Sequence, residues 1–241
     1  MSQNSAAVLN GQSNIQALQQ KTIRVLASGQ VLSGFGLGST LSIGALLAEQ
    51  LSGTAAWSGA AATFSTLGSA IWAIPLARLA DRKGRRVALA AGAGLAITGA
   101  ALVIAAAGLK FFPLLLLALF LLGAGSAAGL QARFGATDLP NTSGSGRSLS
   151  LVVWATTVGA VTGPNLFGPG EVVGNWLGMP EYTGPFLFTI AAQTAATTVF
   201  WFGLRPDPLL LAKQLAATAR IEAGETAIEV KRSLRSAVAT L

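Results

Sequence analysis

Six stretches without a single charged residue limit what this chain can fold into: Val25 to Ala48, Gln50 to Ala77, Val87 to Leu109, Phe111 to Ala132, Ser148 to Gly170 and Tyr182 to Leu204. A helix rises about 1.5 Å per residue and the hydrocarbon core of a bilayer is about 30 Å thick, so roughly 20 apolar residues are enough to cross it. Backbone groups in lipid have to be hydrogen-bonded within the protein. Runs of this length without strict alternation meet that need as helices rather than as strands of a barrel. Burying six such helices in a large soluble protein would leave almost no polar chain to cover them. Composition agrees, with 52% hydrophobic residues, 10% charged residues and a mean hydropathy of +0.60. The expected fold is an all-α membrane protein with a six-transmembrane-helix bundle. Residues 1–22 form a cytoplasmic N-terminal tail, 23–205 the bundle and 206–241 a cytoplasmic connector-like tail. The tail up to Gln20 has no basic residue ahead of an apolar core, so it does not read as a secretory signal and is expected to be loosely ordered.

The net charge of +7 would suggest nucleic acid as the partner of a soluble protein. Here the basic residues fall between the apolar runs, and membrane orientation accounts for them. With a cytoplasmic N-terminus, Lys21, Arg24, Arg78, Arg82, Lys83, Arg85, Arg86, Arg133, Arg147, Arg205 and the basic residues of the tail all lie inside, and Lys110 alone lies outside. Both termini are then cytoplasmic in a multi-pass protein of the plasma membrane. Glu49, Glu171 and Glu181 fall on the outer side. Trp57, Trp176, Tyr182 and Trp201 stand near span ends, where aromatic rings anchor to the headgroup layer.

The chain has no Cys and no His, which removes disulfides, Cys/His metal sites, thiol nucleophiles and histidine bases. No span carries the paired carboxylates that aspartyl chemistry needs. An enzyme is therefore not expected, nor a metal or other cofactor. Small residues crowd several spans, among them Gly34, Gly36, Gly38 and Gly44 in the first, Gly92, Gly94 and Gly99 in the third and Gly123, Gly125 and Gly129 in the fourth; such faces let helices approach closely.

Between the second and third runs stands Ala77-Arg78-Leu79-Ala80-Asp81-Arg82-Lys83-Gly84-Arg85-Arg86. A loop that only sets topology explains the basic residues but not Asp81 or Gly84 at those offsets. An Asp at the end of a helix can accept hydrogen bonds from a neighbouring helix N-terminus or from Arg, and Gly allows a tight turn. The segment resembles the signature of the major facilitator superfamily in the same loop, with Ala77 in place of the leading Gly. The resemblance implies that Ala77, Asp81, Arg82, Gly84, Arg85 and Arg86 form a cytoplasmic gate motif that latches two halves of a transporter together. Arg133 and Asp138 are its candidate partners within this chain, and solvated loop charge is an equal reading of both.

In the fifth run, Gly159, Gly163, Pro164 and Gly168 resemble an element that proton-linked exporters of this family carry in that helix, with Phe167 replacing one of its glycines. Proline bends the helix and the glycines permit close contact across the bend. Another element is missing. Gly123-Ala124-Gly125-Ser126-Ala127-Ala128 resembles a stretch that such exporters precede with an Arg, yet Leu119 occupies the Arg position. No span has a charge near its middle to carry a proton, although coupling to a proton gradient is compatible with the resemblance. Gln30, Thr40 and Gln131 are the candidates for a substrate cavity; Ser33, Ser42 and Gln193 are further polar residues within spans.

Family members have twelve spans in two six-helix halves around a central cavity. The resemblance covers Thr22 to Pro208, which matches the N-terminal half. It implies transport by alternating access, in the direction of export, together with a second six-helix body that is either another copy or a separate C-terminal half, and the apolar spans with few charges suggest a small, lipophilic or weakly polar substrate. The expected partners are the lipid bilayer, that second half and the substrate, with no nucleic acid. The alternative is a truncated or orphan half that serves as a non-transporting binding or regulatory subunit. Beyond Pro208, apolar and charged residues alternate up to Leu241, as in interrupted amphipathic helices with a break near Gly224 or in a solvated linker.

Overall fold

The computed structural model describes residues 2–139, 144–221 and 223, apart from the side chains of residues 2–13, 36, 37, 39–42 and 145. The described residues are helical apart from turns. The helices are α1 (Ser2–Ser52), α2 (Ala60–Lys83), α3 (Arg85–Leu109), α4 (Phe112–Gly135), α5 (Ser145–Thr162), α6 (Phe167–Trp176), α7 (Pro185–Gly203) and α8, residues 208–221. Thr40 and the expected break near Gly224 lie outside the described residues and side chains.

Five helical stretches among the described residues are long and apolar enough to cross a membrane: Ala55–Lys83, Arg85–Leu109, Phe112–Gly135, Gly146–Trp176 and Pro185–Ile221. The first expected span lies in α1, whose apolar middle is described only in part. α3, α4 and α7 match their expected runs to within three residues at each end.

Three boundaries differ, each for a local reason. α1 starts at Ser2 and continues to Ser52 without interruption, so the described part of the expected loose tail is helix; no proline occurs before Pro75 to stop it. In the second expected run the helix α2 begins at Ala60 rather than Gln50, because α1 runs on through Gln50 and the chain turns only at Gly53, whose φ is +73°. It then passes Pro75 and ends at Lys83, beyond the expected Ala77. The fifth expected run is broken. α5 stops at Thr162, Pro164–Leu166 forms a short 3-10 turn, and α6 resumes the same direction of chain to Trp176, beyond the expected Gly170. Proline at residue 164 has no N–H for an α-helical bond, which accounts for the break. Glu171 consequently lies inside a helix, half-buried, where its Oε2 accepts a hydrogen bond from the Tyr182 N–H at 3.3 Å.

Small residues set how the helices pack. α2 and α4 cross where Gly68 faces the Phe120 carbonyl and Gly123 faces the backbone of Ser65 and Ser69; a Cβ on Gly123 would sit 2.6 Å from the Ser69 nitrogen. α1 and α5 meet through Gly34 and Gly38 on one side and Gly159 and Gly163 on the other. A Cβ on Gly34 would come within 2.8 Å of the Gly159 Cα. Backbone-to-backbone contact of this kind replaces the large side chains of a soluble core. The buried residues form two layers. One contains Ile43, Leu47, Val103, Leu115, Leu119 and Phe186, and the other Leu26, Leu76, Leu89, Val152, Phe200 and Leu204. The second layer lies under the end of the bundle where α2 turns into α3, called the basic end below.

Candidate functional site

The turn from α2 to α3 is a single residue, Gly84, with φ +92° and ψ 165°. L-residues are strained in that region, and here a side chain also has no room: a Cβ on Gly84 would overlap the carboxylate of Asp207, with Cγ only 2.5 Å away. Asp207 comes this close because it caps two helices at once. It accepts from the backbone N–H groups of Arg85 (3.1 Å) and Arg86 (2.8 Å) at the start of α3, and from those of Leu209 (3.1 Å) and Leu210 (3.4 Å) at the start of α8. One carboxylate thus satisfies unpaired donors and meets the positive dipole ends of two helices. Gly84→Ala is expected to lower the unfolding free energy by about 2 kcal/mol through strain and loss of this double cap. Thermal unfolding of the purified chain in mild detergent checks this, and an unchanged midpoint would contradict the double-cap geometry.

Arg85 turns its side chain inward. Its guanidinium is bidentate to Asp138, with Nε to Oδ2 at 2.8 Å and Nη2 to Oδ1 at 3.0 Å, and its Nη1 also donates to Gln131 Oε1. The side chains of Arg85 and Asp138 are 11% and 9% exposed. A shielded, planar, two-bond pair of this kind is held far more firmly than a surface pair. Arg86 instead lies over the ring of Trp201 on α7, 4.8 Å from its centroid.

Asp81 behaves differently. Its carboxylate is 70% exposed and pairs with the ammonium of Lys213 on α8, which also donates to the Asp81 carbonyl at 2.7 Å. Lys213 is itself 45% exposed, and exposed pairs contribute little to stability. Of the expected motif, the structure therefore brings Gly84, Arg85 and Arg86 into a packed cluster with Asp138 and leaves Asp81 and Arg82 on the surface. Ala77 is exposed too, so among the described residues its methyl group meets no close crossing. Arg133 takes no part in the network: its Nε is buried without a hydrogen-bond partner.

Gln30 and Gln131, expected at a substrate cavity, are instead buried clamps between helices. Gln30 is 1% exposed and donates to the Gly129 carbonyl at 2.7 Å, while Gln131 receives Arg85. An open groove of about 400 Å³ lies elsewhere, between α2 and α4, lined by Ser65, Thr66, Ser69, Ala70, Ala73, Ser126 and Leu130. Its signal in the sequence is a set of hydroxyl residues spaced three and four apart on α2. Leu119 is fully buried beside Gly44 in the core, an apolar position with no space prepared for a charge.

At the broken fifth span, Gly159 abuts the Val31 carbonyl and Gly34, Gly163 lies against the Phe35 carbonyl and Gly38, and the Pro164 ring also meets Gly38. Gly168 faces open space. Among the described residues no group of three or more Asp, Glu, His or Cys is arranged to hold a metal ion.

Comparison with known proteins gives this arrangement its context. The uncharacterized MFS-type transporter YdeG of Bacillus subtilis (strain 168) is 39% identical over 205 residues, covering 84% of this chain and 47% of the relative. A second protein of that organism, the uncharacterized MFS-type transporter YddS, is 35% identical over 219 residues, covering 91% of this chain and 50% of its own. The chain thus spans about half the length of the curated relatives it matches. Among solved structures, the crystal structure of an auto inhibited POT family peptide transporter superposes with a TM-score of 0.59 at 15% identity, over 77% of this chain and 37% of the other, a likeness of fold. The family model described as Major Facilitator Superfamily matches residues 26–239. The chain therefore belongs to the major facilitator superfamily, a family of membrane transporters rather than enzymes.

Proposed function

We propose that this chain is the N-terminal six-helix half of a facilitator-type exporter and moves a small, lipophilic or weakly polar molecule by alternating access together with a second six-helix body. Its six spans are then α1, α2, α3, α4, the α5–α6 pair and α7, with the basic end at the cytoplasmic face of the plasma membrane. The observation that carries this reading is the division of labour at that end. Arg85, Asp138 and Asp207 fix α3, α4 and α8 into one body, while Asp81 stays exposed in a weak, exchangeable pair with Lys213. An exposed carboxylate on a rigid mount suits a latch that must engage and release a second body in each cycle.

The substrate class rests on the α2–α4 groove, whose hydroxyls sit among apolar neighbours and whose lining contains no charge. Proton coupling falls to the second body, which would supply the charge that Leu119 withholds. The test is flux. With the second body supplied, Asp81→Asn is expected to reduce transport in reconstituted vesicles at least tenfold, while the amount inserted and the unfolding midpoint stay within the range of the unaltered protein. Unaltered flux would sink the latch. Cross-linking in native membranes checks the partnership, which a lone copy that transports on its own would contradict.

A further inference from the structure

Several hydroxyl groups on the described helices spend their proton on their own backbone. Thr63, Thr98, Thr156, Thr194 and Thr198 each donate to the carbonyl four residues earlier, a usual way for Ser and Thr to be satisfied within a helix. The four hydroxyl residues at the α2–α4 groove, Ser65, Thr66, Ser69 and Ser126, behave otherwise: their side chains make no hydrogen bond among the described residues. Ser65 is the sharpest case. It is 6% exposed, yet its Oγ is not sealed within the protein and opens on the groove. An unmatched hydroxyl in so shielded a place is costly unless something in the groove receives it. The groove is also graded along its length. Both helices run towards the basic end; Ser65, Thr66 and Ser69 precede Ala70 and Ala73 on α2, and Ser126 precedes Leu130 on α4. Residues 60–77 of α2 and 112–132 of α4 include no charged side chain.

We infer that this groove binds an uncharged molecule with two or more oxygen acceptors, such as ketone, ester or ether groups, at one end of an apolar frame. The inference rests on the proposed function, which gives the groove to the substrate. Hydroxyls that keep their protons off the backbone have them to donate, and an oxygen acceptor takes such a proton without needing a partner of its own. Ser65 and Ser69 are one turn apart, about 6 Å along the axis, and Ser126 joins them from α4, so acceptors are matched at more than one point. A polyol would carry donors to Ala70, Ala73 and Leu130, where no side chain receives them, and an ion would meet no counter-charge. The volume of about 400 Å³ is that of a small-molecule site. Leu67, Ile71 and Ile74 stand exposed on the neighbouring face of α2, so a helix of the second body would rest on this ridge and roof the recess rather than fill it.

The probe is methyl 4-benzoylbenzoate, an uncharged photoreactive ketone and ester, compared with two ions on the same frame, 4-benzoylbenzoate and 4-benzoylbenzylammonium. Each is irradiated with the purified chain in mild detergent, and the labelled peptides are identified by mass spectrometry. The expected result is saturable attachment of the ester within residues 65–73 and 126–130, with at least about tenfold less of either ion. The triple variant Ser65→Ala/Ser69→Ala/Ser126→Ala should raise the half-saturating ester concentration about tenfold, with an unfolding midpoint close to that of the unaltered chain. Thr98→Ala, whose hydroxyl serves its own helix, should leave that concentration unchanged. Equal attachment of all three probes, labelling spread along the spans, or an unchanged half-saturating concentration in the triple variant would overturn the inference. So would loss of groove labelling in native membranes that hold the second body, which would give the groove to a helix of that body. The detergent measurement needs neither the second body nor flux. Labelling without flux would leave the site standing and remove the transport reading, whereas flux without labelling would place the substrate elsewhere and overturn this inference alone.

Discussion

Arg85→Ala is expected to destabilise the chain by about 3 kcal/mol or more, the largest effect of any single substitution at the basic end. The reason lies in what remains behind. Asp138 would stay nine-tenths buried without its two guanidinium bonds, and Gln131 Oε1 would lose its donor within the same pocket. Removing one partner of a shielded pair costs more than the pair contributes, because an uncompensated charge is left in a poorly solvated place. Arg85→Lys would restore part of the loss, since an ammonium keeps the charge but cannot span both carboxylate oxygens and the amide together. The double variant Arg85→Met/Asp138→Leu should recover more stability than Arg85→Ala retains, because no charge is then stranded. Unfolding by heat or denaturant in detergent measures all three. A midpoint for Arg85→Ala close to that of Asp81→Asn would show that the two pairs do not differ as their burial implies.

Gly159→Val carries the second large expectation, a loss of about 3 kcal/mol, at the upper end of the usual cost of overpacking. A Cβ at this position would overlap the Val31 carbonyl and lie 2.8 Å from the Gly34 Cα. These are backbone atoms of α1, so no side chain can rotate away, and the two helices would have to separate along their shared stripe. The same substitution at Gly168, which faces open space, should leave the midpoint nearly unchanged. Measured side by side, the two glycines separate packing against α1 from any role the exporter-like element has in transport. Equal effects at both positions would contradict the close α1–α5 crossing.

Much of the fold can be read from the order of residues because the signal is one-dimensional. Freedom from charge over a membrane's width marks a span without reference to any other part of the chain, which is why α3, α4 and α7 fall close to their expected bounds. The helix ends that differ from expectation depend on local competition instead. Nothing in Glu49, Gln50 or Ser52 stops a helix, so α1 continues until Gly53, and Pro164 divides a run whose composition is uniformly apolar. The candidate site is legible in part. The Asp81 to Arg86 segment points to a cluster, and Asp138 stands out as a partner, but Asp207 reads as connector. It lies 122 residues from Arg85 in sequence, and an Asp between two prolines gives no sign that it will cap a distant helix. Gln30 misleads for a related reason: a polar residue in a span looks the same in sequence whether it faces a cavity or, as here, a neighbouring backbone carbonyl.

The cap shared by α3 and α8 also fixes where the molecule can bend. Asp207 ties the start of α8 to the start of α3, Lys213 reaches back to the end of α2, and Lys21 of α1 holds the Arg205 carbonyl at 2.9 Å. Asp207 and Lys21 therefore brace the turn that leaves α7, and the exposed Lys213 pair adds little to them. Residues 208–221 thus take their direction from the bundle that they leave, through the Asp207 cap, rather than from the turn itself.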